Sequence, residues 1–281
     1  MRWLKKRVVK MYMRDDKLIL HTTSIGSCAR KEMLQFSGEQ PTDPVNFYAQ
    51  LGTFVHGMLE HCLRKYAKVG VLSNIQDAFE SMQLGDEGFG EEWRAEIMEK
   101  AERGWSWLRS EEEAEHLNIV EVENRHMLQY TVDDEPVLID GHEVWVTGTP
   151  DLIINYDDTD YIIDFKSGKT RNKKQSWQVS AYNLMRYMNF HGDPAKARIV
   201  YLGIEPKVKV QKNGKVHKYH ERELTLEEVV EYGKEWYHAL EEYIEEIKEC
   251  YPNIPQHDDC EACFFCPYRT LDWGEEYQRG G

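Results

Sequence analysis

The stretch TGTPDLIINYDDTDYIIDFKSGK, residues 147–169, sets Asp151, Asp164 and Lys166 in β-rich sequence. Asp164 and Lys166 are two apart, so in a strand they share one face while Phe165 takes the other. The intervening NYDDTD, residues 155–160, is full of turn formers. A hairpin there would bring Asp151 beside the strand of Asp164, in a register that spacing leaves open. Two converging carboxylates suit a hard divalent cation such as Mg²⁺ or Mn²⁺. Such an ion polarises a phosphoryl oxygen and lowers the pKa of a bound water. A neighbouring lysine would position or deprotonate that water, or stabilise charge building on phosphorus. The chemistry is phosphodiester hydrolysis. By spacing alone, the D-x-K triplet also fits a surface hairpin with a salt bridge.

A second group is CEACFFC, in which Cys260, Cys263 and Cys266 are spaced C-x2-C-x2-C. A tight loop with this spacing delivers three thiolates to one metal or cluster. The N-terminal MRWLKKRVVKMYMRDDK is basic but has no long apolar stretch and no small-residue cleavage site after it. No secretion signal is therefore read, and a metal site is expected over a disulfide framework, in a cytoplasmic protein. Cys62 reads as a core thiol in an apolar helix, and Cys250 as a free thiol at a helix end.

These groups need elements to hold them. Residues 17–36 contain Ser24, a candidate cap for a short helix that carries Cys28. Residues 44–69 have the spacing of an amphipathic helix, with His56 and Glu60 on one face. Residues 70–90 read as a loop with a short helix, and 91–116 as a second long helix. NIVEVENRHMLQY, HEVWVTGTPDLIINY and DYIIDFKS have strand character. Helical spacing returns over 174–190, ARIVYLGIEP is a further strand, and VKVQKNGKVHKYH is a hairpin turning at Asn-Gly. Residues 225–249 form a charged helix with an apolar stripe at Val229, Val230, Tyr232, Trp236, Leu240, Tyr243 and Ile247.

The chain of 281 residues carries a net charge of −15, which argues against a general nucleic-acid binder. The charge is uneven, however. Cations cluster in residues 1–10, in 164–174 and in the hairpin at 207–218, while acids fill the helices around 91–123 and 221–249. A basic groove in an acidic body is therefore open, with solvated lysines as the plain alternative. Trp177, beside RNKK at 171–174, is a candidate for stacking on unpaired bases. Lys212 and Lys215 could line a phosphate-binding wall. No apolar run approaches membrane-spanning length.

The motif GTPDLIINYDDTDYIIDFKSGK resembles the core of the PD-(D/E)XK nuclease superfamily. Within it, the chain is most similar to the RecB-like group, which includes the CRISPR-associated RecB-like exonucleases, a phage homologue among the candidates. LGTFVHGMLE at 51–60 resembles the group's histidine-bearing helix, and WQVSAYNLM at 177–185 its Q-x-x-x-Y motif. With SIGSCARK and CEACFFC, the likeness runs in order over residues 22–268. The resemblance implies that His56, Asp151 and Asp164 bind the metal, with the carbonyl of Phe165 as a further ligand. It makes Lys166 the catalytic lysine and gives Gln178 and Tyr182 the positioning of DNA or of the lysine. An acid on the preceding strand, Glu121 or Glu123, is implied without a choice between them. Glu60 is a solvated residue or a partner of His56. Gly52 and Gly57 would let another element approach.

The same resemblance implies that Cys28, Cys260, Cys263 and Cys266 hold a [4Fe–4S] cluster. The family's last gap is usually longer than two residues, so Zn²⁺ with His257 or Cys250 as fourth ligand stays an alternative. The implied fold is α/β, with a restriction-endonuclease-like mixed central sheet flanked by helices. A single nuclease domain over 1–281 is expected. It would comprise a cluster segment at 22–36, a helical part at 43–116, the nuclease core at 118–220, and a C-terminal helix and cluster loop at 225–270. The implied activity is a metal-dependent DNA exonuclease acting on single-stranded ends. The alternatives are an endonuclease on the same fold, or a non-catalytic DNA- or partner-binding subunit with a metal–thiolate staple. DNA is the expected partner, with a homo-oligomer and recombination or CRISPR-adaptation proteins also open, and DNA repair or recombination as the setting. No fused helicase and no membrane association are expected.

Overall fold

A computed structural model describes residues 13–14, 17–25, 47–82, 91–190, 193–205, 209–210, 216–217 and 220–250. Cys28, Cys260, Cys263, Cys266 and His257 lie outside the described residues. So do Lys212, Lys215 and most of the segment expected to form a short helix after Ser24. The described chain falls into two compact units, one formed by 47–125 and 149–233, the other by 13–25, 126–148 and 234–250.

The larger unit is built on a five-stranded sheet. Its strands are β3 (Ile119–Val122), β9 (Leu152–Tyr156), β10 (Thr159–Lys166), β11 (Lys196–Tyr201) and β14 (His220–Leu224). Their spatial order is β14-β11-β10-β9-β3. β10 and β11 run parallel and every other pair is antiparallel, so the sheet is mixed. The crossover between the parallel strands is the helix α4 (Lys173–Phe190), as a parallel pair requires.

Alternation along β10 divides its side chains between two cores. Tyr161, Ile163 and Phe165 pack with Leu51, Val55, Met58 and Leu59 of α1 (Phe47–Val69) and with Ile97, Ala101, Trp107 and Leu108 of α3 (Glu91–Glu113). The Phe165 ring meets Trp107 edge-on at 5.6 Å. The opposite face packs Ile199 and Tyr201 against Val179 of α4, with Leu224 and Val229. Asp164 and Lys166 therefore face α4. A short helix, α2 (Ile75–Ser81), lies between α1 and α3, capped by the Asn74 side chain.

Local chemistry sets the boundaries. α3 ends at Glu113, short of the expected 116, through backbone bonds from His116 N to Glu111 O and from Glu115 N to Glu112 O. Glu115 occupies the left-handed region, φ 61°, where a glycine usually sits. With no glycine there, periodicity alone runs the helix on. α4 starts at a reciprocal cap: Gln175 N donates to Asn172 Oδ1, and Asn172 N donates to Gln175 Oε1. Thr225 and Glu228 cap α5 (Leu226–Cys250) in the same way. On α5 the expected stripe is buried at Val229, Trp236, Leu240, Tyr243 and Ile247, while Val230 is exposed.

The smaller unit has its own five-stranded sheet. β1 (Met13–Arg14), β2 (Lys17–His21), β8 (His142–Gly148) and β4 (His126–Gln129) follow in that order, and β7 (Leu138–Ile139) also pairs with β8. The runs NIVEVENRHMLQY and HEVWVTGTPDLIINY each supply a strand to both sheets. The first breaks at Glu123, φ 47°, and the second at Thr149–Pro150, where proline has no N–H for a ladder. Two-stranded pairs complete the list: β5 (Thr131–Val132) with β6 (Glu135–Pro136), and β12 (Lys209–Val210) with β13 (Val216–His217). The last is the expected lysine hairpin, whose Asn-Gly turn lies outside the described residues. Among the described residues, no helix is long and apolar enough to cross a membrane.

Candidate active site

Three acids lie at one level across three neighbouring strands. The β9–β10 hairpin turns in two residues, Asp157 and Asp158, with φ 50° and 56°, the geometry of a type I′ turn. Its ladder pairs Ile163 with Leu152, so the next step sets Asp164 opposite Asp151. On the other side, β3 pairs Val122 with Leu152, and the next step sets Glu123 opposite Asp151. The Glu123 N–H donates to the Asp151 carbonyl at 3.1 Å.

The choice between Glu121 and Glu123 rests on a β-bulge. The register shifts between Ile119 and Glu121. Without that shift, Val122 would stand opposite Asp151. Bulges commonly re-aim side chains beside active sites. Glu121 instead accepts a hydrogen bond from Asn124 at 3.1 Å. The two glutamates are two residues apart, so strand periodicity could not separate them.

His56 reaches the row from α1, its Nδ1 2.9 Å from Asp151 Oδ1. Oδ2 of Asp151 accepts the Phe165 backbone N–H at 2.5 Å. His56, Glu123 and Asp151 present ligand atoms within 4.8 Å of one another. Asp164 is buried and ion-pairs with Lys166, Nζ to Oδ2 at 2.7 Å, yet this oxygen has no partner at hydrogen-bonding angles. A buried carboxylate oxygen so placed, beside two further carboxylates and an imidazole, fits a divalent cation. Glu60, one turn along α1 from His56, pairs with Arg64 at 2.6 Å.

The charges are strongly coupled. Burial alone would lower His56, but the charge and hydrogen bond of Asp151, with Asp164 behind, override it and raise its pKa to about 9. Burial, with Asp151 alongside, pushes Glu123 up to about 8. Burial also lifts Asp164, to about 6, against the pull of Lys166. Burial acts upward on Asp151 too, but His56, Lys166 and the Phe165 N–H outweigh it and hold its carboxyl below the ordinary range.

Lys166 is held from three sides. Its Nζ contacts Asp164 and donates to Gln178 Oε1 at 2.6 Å. The Gln178 amide in turn donates to the Tyr182 hydroxyl, one turn along α4. The Lys166 carbonyl accepts Leu202 N at 2.8 Å and Gly203 N at 3.3 Å. Arg103 of α3 fixes that loop by donating to the Leu202 carbonyl at 2.8 Å. The expected close approaches are present. A Cβ on Gly52 would lie 2.9 Å from Ser167 Oγ, and one on Gly57 would lie 2.6 Å from Met82 Cε. Sequence reasoning missed the Phe165 N–H and the Arg103 brace, since no residue pattern marks a backbone donor or a contact 99 residues away.

Among solved structures, a "putative exonuclease" from Eubacterium rectale is similar, at 11% identity, with 88% of this chain and 85% of that chain covered and a TM-score of 0.51. The crystal structure of SSO0001 is also similar, at 12% identity, with 96% and 94% covered and a TM-score of 0.41. No curated protein matches the chain significantly. The family model of the PD-(D/E)XK nuclease superfamily matches residues 25–271. The restriction-endonuclease-like α/β fold agrees with that match, and so does the acid row beside Lys166. The chain belongs to the PD-(D/E)XK nuclease superfamily, whose members use divalent metals and whose nucleases act on DNA.

Proposed function

We propose that this chain is a Mg²⁺- or Mn²⁺-dependent exonuclease of the RecB-like group, hydrolysing phosphodiester bonds from single-stranded DNA ends. The observation that carries the reading is the convergence of Glu123, Asp151 and Asp164 on one level of the sheet, with His56 above and Lys166 beside. His56, Asp151 and Asp164, with the Phe165 carbonyl, would hold the cation, and Glu123 joins them in this reading. The bound cation would polarise the phosphoryl oxygen and supply an activated water at neutral pH. The Phe165 N–H and His56 fix the orientation of Asp151. Gln178, itself oriented by Tyr182, directs the Lys166 Nζ toward Asp164, where it can meet charge developing on phosphorus. Cys28, Cys260, Cys263 and Cys266 would hold a [4Fe–4S] cluster of structural role, as one cytoplasmic nuclease domain.

The test uses anaerobically purified protein, Mn²⁺ and labelled single-stranded DNA, linear and circular, with Lys166→Ala as control. Loss of the linear substrate alone, abolished by the substitution, is the expected outcome. Cleavage of the circle as well would make the chain an endonuclease. Binding without cleavage would leave a DNA-binding subunit. For the cluster, Cys263→Ala should bleach the visible iron–sulfur absorbance and weaken DNA binding. Unchanged melting temperature and activity would overturn that assignment.

A further inference from the structure

One cation beside the site is presented differently from its neighbours. Arg171 lies in the loop between Lys166 and α4, is exposed, and sets its guanidinium 4.7 Å above the buried ring of Tyr201. Tyr201 is the register partner of Lys166 on the adjacent parallel strand. Strands lie about 4.8 Å apart, so Arg171 stands one strand over from the lysine on the same face. The loop is not free to swing. Gln175 donates through Nε2 to the Thr170 carbonyl at 3.0 Å and engages Asn172 twice, which pins the backbone on both sides of Arg171.

Among the described residues, no carboxylate pairs with Arg171. The contrast is Arg222, on β14. Its Nη2 donates to Glu228 and to the Tyr232 hydroxyl, both at 3.2 Å, and its Nη1 to Ser176 at 3.3 Å. Those donors are spent on joining α4 and α5 to the sheet. Arg171 keeps its planar fork exposed, oriented by an aromatic face and a braced loop, the arrangement that suits bidentate capture of a phosphate.

We propose that Arg171 binds a backbone phosphate adjacent to the scissile one, so that the strand runs laterally from Lys166 across Tyr201. The proposal rests on the nuclease reading of the Lys166 site. It makes Arg171 a substrate-binding residue that sets the strand's register at the metal-binding row.

The test combines Arg171→Ala with DNA bearing a neutral methylphosphonate in place of the phosphate on one or the other side of the first cut. On all-phosphate DNA, the substitution should lower kcat/KM about tenfold, the loss of one charge-assisted contact. On one methylphosphonate substrate it should cost less than twofold further, because the contact is already gone. Binding of single-stranded DNA in EDTA, followed against salt, should show a log–log slope shallower by about 0.7 for Arg171→Ala and unchanged for Arg171→Lys. Equal losses on every substrate, or an unchanged slope for Arg171→Ala, would overturn the proposal. If the wild-type protein cuts no substrate, the nuclease reading fails by itself, and the salt slopes still decide whether Arg171 binds phosphate.

Discussion

Gly203→Ala isolates the brace behind the lysine. A Cβ at this position would lie 2.2 Å from the Ser167 carbonyl oxygen, 2.5 Å from that of Gly168 and 2.6 Å from the Gly168 carbonyl carbon. All three atoms are backbone, so no side-chain rotation relieves the contact. The 202–203 segment must retreat by roughly 1 Å to reach ordinary separation. That stretches or breaks the bonds from Leu202 N and Gly203 N to the Lys166 carbonyl. Two such bonds are worth about 1 kcal/mol each, and overpacking adds about 1–3 kcal/mol. Partial relaxation leaves a net destabilisation of about 2–4 kcal/mol. A 1 Å displacement at a reacting group costs on the order of 100-fold in rate. Gly168→Ala is the matched control, because a Cβ there meets nothing within 4 Å. It should change stability by less than about 0.5 kcal/mol. Urea denaturation and single-turnover cleavage of linear single-stranded DNA read both effects. The reasoning is refuted if Gly203→Ala matches the wild type, or if the two alanines are equally damaging.

Glu123→Gln should weaken Mn²⁺ binding at least about tenfold with the fold intact, measured by calorimetry; an unchanged affinity would remove Glu123 from the ligand set. At pH 7, His56 and Glu123, with pKa values raised to about 9 and 8, both hold protons that a cation must displace. Mn²⁺ binding should therefore release protons and tighten as pH rises toward 9. Calorimetry in buffers of unlike ionisation enthalpy reads the release, and a heat independent of buffer would contradict it. Gln178→Leu should lower kcat about 10- to 100-fold with little change in KM, because it frees the Lys166 Nζ without touching the carboxylates. A rise in KM alone would place Gln178 on the DNA instead.

The sequence carried much of the larger unit. Period-two alternation put Asp164 and Lys166 on one face, and the four-residue spacing of Gln178 and Tyr182 put both on one turn of α4, where their side chains bond to each other. Three kinds of information were not legible. Register was one, because a ladder is set by its turn and its bulges, and the bulge beside Val120 has no residue signature. Left-handed residues other than glycine were another: Glu115 and Glu123 end elements that periodicity would extend. The third was the division of strand-like runs between two sheets. Residues 118–130 mix apolar and β-branched residues with polar and charged ones along the whole run, and nothing in their pattern says that β3 and β4 pair with different partners.

The Asp157–Asp158 turn has a consequence for how such a chain can vary through descent. It stands at the far end of the ladder from Asp151 and Asp164, and it touches neither. Yet every residue added to it slides one strand past the other, and a single step exchanges the two faces of the strand. One inserted residue would present Ile163 or Phe165 to the level now held by Asp164. Substitutions there need only tolerate two left-handed positions, which many Asn, Asp and Gly pairs do. Selection acting on catalysis would thus be lenient toward the letters of this remote loop and severe toward their number, so that its length is inherited as if it were a ligand.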